Sequence, residues 1–190
     1  VSVQLQVHST RRTGWSVANG QIDLAIIGGQ LPNDLENLLQ VIPYATDELA
    51  LVLPTKHPLA NKQELMKEDL YKLNFVTLDS QSTTRKVVDK LLKNSGLDIQ
   101  RLKIEMELNS LEAIKNAVQS GLGASFLPVV SIERELAGGS IHKAYLADLQ
   151  VKRELKLITN PSRYTSRASE VFKKNILPQF ASLESPLRHI

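Results

Sequence analysis

Residues 73–92 read LNFVTLDSQSTTRKVVDKLL, and the order of patterns within them decides the fold. LNFVTL is a short apolar run of strand length. Ser82 to Leu92 then places Val87, Val88, Leu91 and Leu92 on one face of a helix, and KIEMEL at 103–108 alternates like a second strand. Strand, helix and strand in succession make a βαβ unit. Between the first strand and the helix, five of the six residues from Ser80 to Arg85 are hydroxyl residues or glutamine. One helix start uses one or two capping side chains, so this supply exceeds the structural need.

Outward from that unit the alternation continues. Val1 to Val7 alternates like a half-buried strand, RRTGWSVANGQ (11–21) reads as a short helix closed by Gly20, and IDLAIIGG (22–29) as a buried parallel strand. Residues 38–60, LLQVIPYATDELALVLPTKHPLA, read as two strands broken by Pro43, followed by a polar helix near Lys62 to Leu70. Asn109 to Gln119 is a helix opened by an Asn-Ser-Leu-Glu capping box and closed by Gly121, and GASFLP (123–128) is a strand. Val130 to Leu136 reads as a short helix, IHKAYL and ELKLIT as strands, and Thr165 to Phe180 as the last helix. The pattern predicts α/β architecture with largely parallel sheets in two small lobes. A lone βαβ unit cannot cover both faces of its sheet, so the last helix is expected to return to the first lobe and make it discontinuous.

Composition excludes several classes. With 190 residues and 42% hydrophobic side chains the chain buries a sizeable core, and no apolar run approaches the roughly 20 residues of a membrane span. The N-terminal residues lack the regions of a signal peptide. There is no cysteine, which fits a reducing cytoplasm, and the four histidines are scattered, so no metal site is expected. The formal charge of +3 comes from interspersed lysines and acids, not from the basic stripe that grips DNA. Enzyme motifs fail as well. GLGASF imitates half a dinucleotide fingerprint, but Phe126 stands where the third glycine belongs, and no serine lies in a nucleophile elbow. Asp47 and Glu48 are adjacent, which points them to opposite faces of a strand and makes a poor acid–base pair.

GQIDLAIIGG, ELALVLPTKHPLA, the hydroxyl-rich helix start and SLEAIKNAVQSGLGASFLPVVSIERELAGGSI resemble, in order and spacing, the effector-binding domain of LysR-type transcriptional regulators. The SQSTTRKVVDKLL segment is similar to the CbbR-type branch, which regulates carbon-fixation and inorganic-carbon uptake genes. The resemblance implies two Rossmann-like lobes of the type II periplasmic-binding-protein fold joined by two crossing strands, near Leu51 to Pro54 and Leu155 to Ile158. Lobe I is expected at 1–53 plus 157–190, incomplete, and lobe II at 54–156. It further implies a winged helix-turn-helix domain N-terminal to these residues, through which a parent protein binds DNA. The resemblance also implies that effector domains pair as homodimers, within a tetramer in the full-length parent. From composition and the failed motifs the chain is expected in the cytoplasm, with no membrane or enzymatic role. A solute-binding protein of a transporter shares the fold and is the alternative.

The implied effector is a small anion held in a cleft between the lobes: a phosphorylated sugar, 2-phosphoglycolate, 2-oxoglutarate or a nicotinamide nucleotide, with no cofactor. The helix start supplies its expected ligands. Ser82, or Ser80, caps the helix, while Gln81, Ser82, Thr83 and Thr84 surround the anion with hydroxyls and N–H groups at the positive end of the dipole. Arg85 adds charge and a bidentate fork; the alternative is a generously capped helix with an exposed arginine. From the other lobe the resemblance places Thr10 and its neighbour Ser9 at the effector, although both could cap the helix beginning near Arg12. Pro128 is expected at the cleft edge, His8 as a packing residue, and Gly28 and Gly29 as a structural turn.

Overall fold

The structure is a computed structural model that describes residues 3–181. The chain divides into two compact units, Val1–Thr46 with Arg153–Ile190, and Asp47–Lys152. The first unit opens with α1 (Thr10–Ala18), β1 (Leu24–Ile27) and α2 (Asn33–Glu36). Strand β2 (Gln40–Pro54) then runs through the boundary into the second unit, which holds β3 (Asn74–Leu78), α3 (Thr83–Asn94), β4 (Lys103–Leu108), α4 (Leu111–Gln119), β5 (Ser125–Pro128), α5 (Glu133–Ala137) and β6 (Ile141–Ala144). Strand β7 (Lys152–Thr159) leads back to α6 (Arg167–Val171), which continues through a π-helical turn at Phe172–Ile176 into α7 (Leu177–Ala181). The chain therefore crosses twice between units, both times in strands. The crossings fall at Thr46/Asp47 and Lys152/Arg153, earlier than the sequence places them.

In the first unit β1 pairs with β7 antiparallel, Leu24 opposite Thr159 and Ile27 opposite Lys156. Val17, Ile27, Leu31, Leu35, Leu39 and Ile158 form its core. The C-terminal helix returns here, where the Tyr44 hydroxyl donates to the Leu177 carbonyl at 2.8 Å. Residues 182–190, the tail of the expected lobe I, lie outside the described residues, as do Val1 and Ser2.

Four expectations need correction in this unit and the strand leaving it. Residues 3–8 form no strand, and Leu5 and Val7 are 88 and 85% exposed. Alternation supplies the faces of a strand but not the hydrogen-bonding neighbour it needs, and none exists among the described residues. His8, expected to pack, is exposed on the same segment. Strand β1 is antiparallel to its neighbour, because an apolar run records burial and says nothing of direction. Pro43 does not break β2: it is exposed and lies in the half that pairs with neither β5 nor β6, whose registers with β2 begin at Leu49 and Leu51.

The second unit is doubly wound. β3 and β4 are parallel, from Asn74 opposite Lys103 to Leu78 opposite Leu108, with α3 as the crossover. β5 lies beside β3 through the parallel bridge of Phe75 and Ala124, and β2 pairs antiparallel with both β5 and β6. The sheet is therefore mixed rather than largely parallel. Side chains on β2 alternate between its faces. Leu49, Leu51 and Leu53 join Phe75, Val88 and Leu92 beneath α3, while Ala50 and Val52 join Val76, Ile114, Val118 and Leu127 beneath α4. Phe75 and Phe126 stack at 6.2 Å between ring centroids. Gly123 allows β5 to approach β3, since a Cβ there would lie 2.6 Å from the Asn74 carbonyl oxygen.

Helix starts differ from the sequence reading by a residue or two. α4 is capped by Ser110, not Asn109, and in place of a helix from Lys62 to Leu70 there are 3-10 turns at Pro58–Asn61, just before it, and at Lys67–Lys72. The second turn is fixed by Asp69, which accepts from Lys72, Lys62 and the Met66 N–H. On α4, Lys115 is buried and its ammonium donates to Glu135 and to the Ser131 carbonyl, with Glu112 also at 2.8 Å. Its pKa is raised, first by the hydrogen bond to Glu112 and next by that to Glu135. Glu112 is 75% exposed and screened by water, so the Glu135 pair is the energetically relevant one.

Two predictions follow from this packing. Lys115 holds Glu135 below the ordinary carboxylate range, so the pair's stability is present above about pH 4, the unfolded value, and is lost as pH falls through the folded one. The raised Lys115 pKa contributes below about pH 10 and is lost as pH rises through its folded value. Lys115→Ala should cost about 3 kcal/mol at neutral pH, as expected when one partner of a buried pair is removed. Melting curves from pH 3 to 7 should show a shallower acid flank for this variant; an unchanged flank would show that Glu135 takes no part. Gly123→Ala should cost about 1–3 kcal/mol through forced separation of β3 and β5, read as a fall of roughly 2–4 °C in Tm per kcal/mol at this chain length.

Candidate functional site

The start of α3 is assembled by the loop that leaves β3. The Asp79 N–H donates to the Leu108 carbonyl at 3.1 Å, continuing the β3–β4 contact. Asp79 Oδ1 then accepts from the Gln81 N–H at 2.9 Å, and its carbonyl accepts from the Ser82 N–H at 2.9 Å. This is a side-chain-supported turn of the kind aspartate favours. It delivers the chain to Ser82 in an extended conformation, φ −59° and ψ 131°, from which the helix begins.

Ser82 occupies the cap position, but its hydroxyl makes no capping bond, and no other partner for it exists among the described residues. Its carbonyl accepts from the Lys86 N–H at 3.0 Å, so the helix starts normally without the side chain. The N–H of Arg85 likewise has no partner among the described residues. Ser82, Thr83, Thr84 and Arg85 are all partly buried, whereas Gln81 is exposed, with its Oε1 3.5 Å from Lys86 Nζ. Uncommitted donors at the head of a 12-residue helix lie at the positive end of its dipole.

Arg85 does not project freely from the helix. Its Nε donates to both oxygens of Asp89, at 2.8 and 2.9 Å, and Nη1 donates to the Thr77 hydroxyl and to the Leu78 carbonyl. Glu107 on β4 lies 3.6 Å from Nη1. The arginine side chain is only 15% exposed. It ties α3 to the carboxyl ends of β3 and β4 and faces two carboxylates, in place of the open fork expected from sequence.

Beneath the same turn is a cavity of about 30 Å³, lined at its polar end by Thr77, Thr84, Arg85, Asp89 and Ser125 and otherwise by apolar side chains such as Phe75, Val88 and Phe126. That volume holds about two water molecules. The Ser125 hydroxyl, on a residue 2% exposed, has no hydrogen-bond partner among the described residues, although a buried hydroxyl normally has one.

Gln81 to Arg85 are thus assembled in one turn of the second unit. Pro128 is in the same unit at the end of β5, where its carbonyl accepts from the Ser131 hydroxyl at 2.7 Å. Ser9 and Thr10 belong to the first unit. Ser9 caps α1, accepting from the Arg12 N–H at 3.4 Å, and Thr10 is the first helical residue, so the helix begins earlier than Arg12. Asp79, Asp89, Glu107 and Ser125 were not anticipated. The i,i+4 spacing of Arg85 and Asp89 was a readable signal of their pairing; Glu107 and Ser125 come from distant strands and leave no local trace. Among the described residues no group of three or more histidines and acids could hold a metal, and no helix is long and apolar enough to cross a membrane.

Comparison with known proteins places this geometry in context. The chain is 60% identical over 182 residues to a probable RuBisCO transcriptional regulator of Synechocystis sp., and 58% identical over 182 residues to one of Porphyra purpurea. Each alignment covers 96% of this chain, which spans 53% and 57% of those relatives. Among solved structures, the regulatory domain of Synechocystis CcmR in complex with 2-PG superposes with a TM-score of 0.81 at 24% identity, covering 95% of this chain and 84% of that one. The effector-binding domain of QuiR in complex with shikimate gives 0.76 at 22% identity, covering 93% and 80%. These likenesses share the type II periplasmic-binding-protein fold. The family model described as the LysR substrate binding domain matches residues 1–181, and the chain belongs to that family.

Proposed function

We propose that this chain is the effector-sensing part of a LysR-type transcriptional regulator of carbon fixation, and that the first turn of α3 receives the anionic group of a small metabolite. The observation behind the site is the uncapped helix start: the Ser82 hydroxyl and the Arg85 N–H have no protein partner among the described residues, at the positive end of a helix. Thr83 and Thr84 add hydroxyls beside them, with Gln81 at the rim. Ser9, Thr10 and Pro128 are proposed as further contacts.

The relatives support the metabolic setting, since they are named as RuBisCO regulators. The CcmR structure is a complex with 2-PG and the QuiR structure a complex with shikimate, both small anions. We infer the same class here, with 2-phosphoglycolate, phosphorylated sugars, 2-oxoglutarate and nicotinamide nucleotides as the panel. The chain spans about half the length of its relatives, so DNA binding and transcriptional output are assigned to a longer parent acting in the cytoplasm. Homodimers of the domain within a tetramer would convert effector occupancy into a change on DNA, to the extent that the effector binds one arrangement better than the other. The relatives' names favour regulation over solute delivery or catalysis.

Calorimetry of the domain against that panel tests the reading. A hydrogen bond to a charged group contributes about 1.5–3 kcal/mol, so Ser82→Ala should weaken the responding anion about tenfold or more. Because that hydroxyl is not a cap, Tm should stay within about 1 °C, whereas Ser110→Ala, which removes the α4 cap, should cost about 1 kcal/mol. If no anion of the panel registers at millimolar concentration, or if Ser82→Ala lowers Tm and leaves affinity intact, the helix start is structural and the reading fails.

A further inference from the structure

We infer that Asp89 and Glu107 determine which anions the α3 site accepts, by offsetting Arg85 so that the bound group meets helix N–H donors and hydroxyls without an uncompensated guanidinium. The inference rests on the effector reading above. Arg85 Nε is held by both oxygens of Asp89, and Glu107 stands 3.6 Å from Nη1 on the neighbouring strand. One guanidinium facing two carboxylates makes these three residues net negative, with Arg85 in the first turn, Asp89 one turn further on and Glu107 on β4. Lys86 at the exposed rim stands apart from them, with its Nζ 3.5 Å from Gln81 Oε1. Asp89 is the closer and better covered partner, with a side chain 25% exposed against 45% for Glu107, so its charge is the less screened.

A negative cluster at that distance penalises each added negative charge on the ligand. A highly charged phosphate ester is therefore held less tightly than the arginine in the sequence would lead one to expect, and anions of lower charge are penalised less. Thr77 and the Leu78 carbonyl keep Arg85 in this arrangement from the sheet side, so the offset is built into the fold of the second unit.

Asp89→Asn tests this, because it keeps the shape and one acceptor for Arg85 while removing a charge. In calorimetry at low salt, 2-phosphoglycolate should bind the variant three- to tenfold more tightly than wild type, and the gain should disappear at high salt. Glycolate, which lacks the phosphate, should gain less than twofold. Glu107→Gln should move affinity in the same direction by a smaller factor. A purely structural role would change both ligands alike and would leave the salt dependence untouched. Unchanged or weaker binding of 2-phosphoglycolate by a folded Asp89→Asn, alongside binding by wild type, overturns the inference and leaves the effector reading intact. Absence of binding of either ligand to wild type and variant alike counts against both.

Discussion

Burial of β2 on both faces is the constraint from which the second unit follows. From Leu49 to Pro54 every residue of this strand is buried, so two helical layers are required, one over Leu49, Leu51 and Leu53 and one over Ala50 and Val52. α3 and α4 are those layers. Covering one face with α3 as the crossover between parallel strands places the start of that helix beside the carboxyl end of β3, as in other open α/β sheets. The position of the candidate site is thus a by-product of core burial. Its chemistry is not, since packing dictates nothing about the residues between Asp79 and Thr84.

Those residues solve two problems with separate groups. Holding the helix against the sheet falls to Asp79, which shapes the incoming turn, and to Arg85, whose guanidinium links α3 to β3. Meeting a ligand is the role proposed for Ser82 and its hydroxyl neighbours. In most helices the cap side chain serves the first purpose and is thereby consumed. Moving that duty to Arg85 and Asp79 leaves the cap hydroxyl uncommitted, a local inconsistency that supports the role proposed for it.

Much of the fold was legible because its signals are local. The strand, hydroxyl-rich loop and amphipathic helix at 73–92 were readable from periodicity, and the return of the C-terminal helix followed from the material needed to cover the first sheet. Pairing was less legible. The run IDLAIIGG advertises burial but not whether its neighbour is parallel, and VSVQLQV advertises two faces without supplying a partner. Pro43 misled because the tolerance of a strand for proline depends on which side is unpaired. The residues around the site divide in the same way: Ser82 to Arg85 could be read in one window, while Ser125 and Glu107 reach it only through the sheet.

Arg85 shows why residue type alone misjudges electrostatics. An arginine in the first turn of a helix, beside hydroxyls, reads as an anion clamp, because an isolated guanidinium there would add to the dipole. The i,i+4 aspartate and the strand-borne glutamate offset that guanidinium while leaving the backbone contribution untouched. The N–H groups of a helix start are fixed by backbone geometry, whereas the side-chain charge around them is open to change. The proposed anion site can therefore keep its backbone geometry while single residues at 89 and 107 alter the side-chain charge beside it.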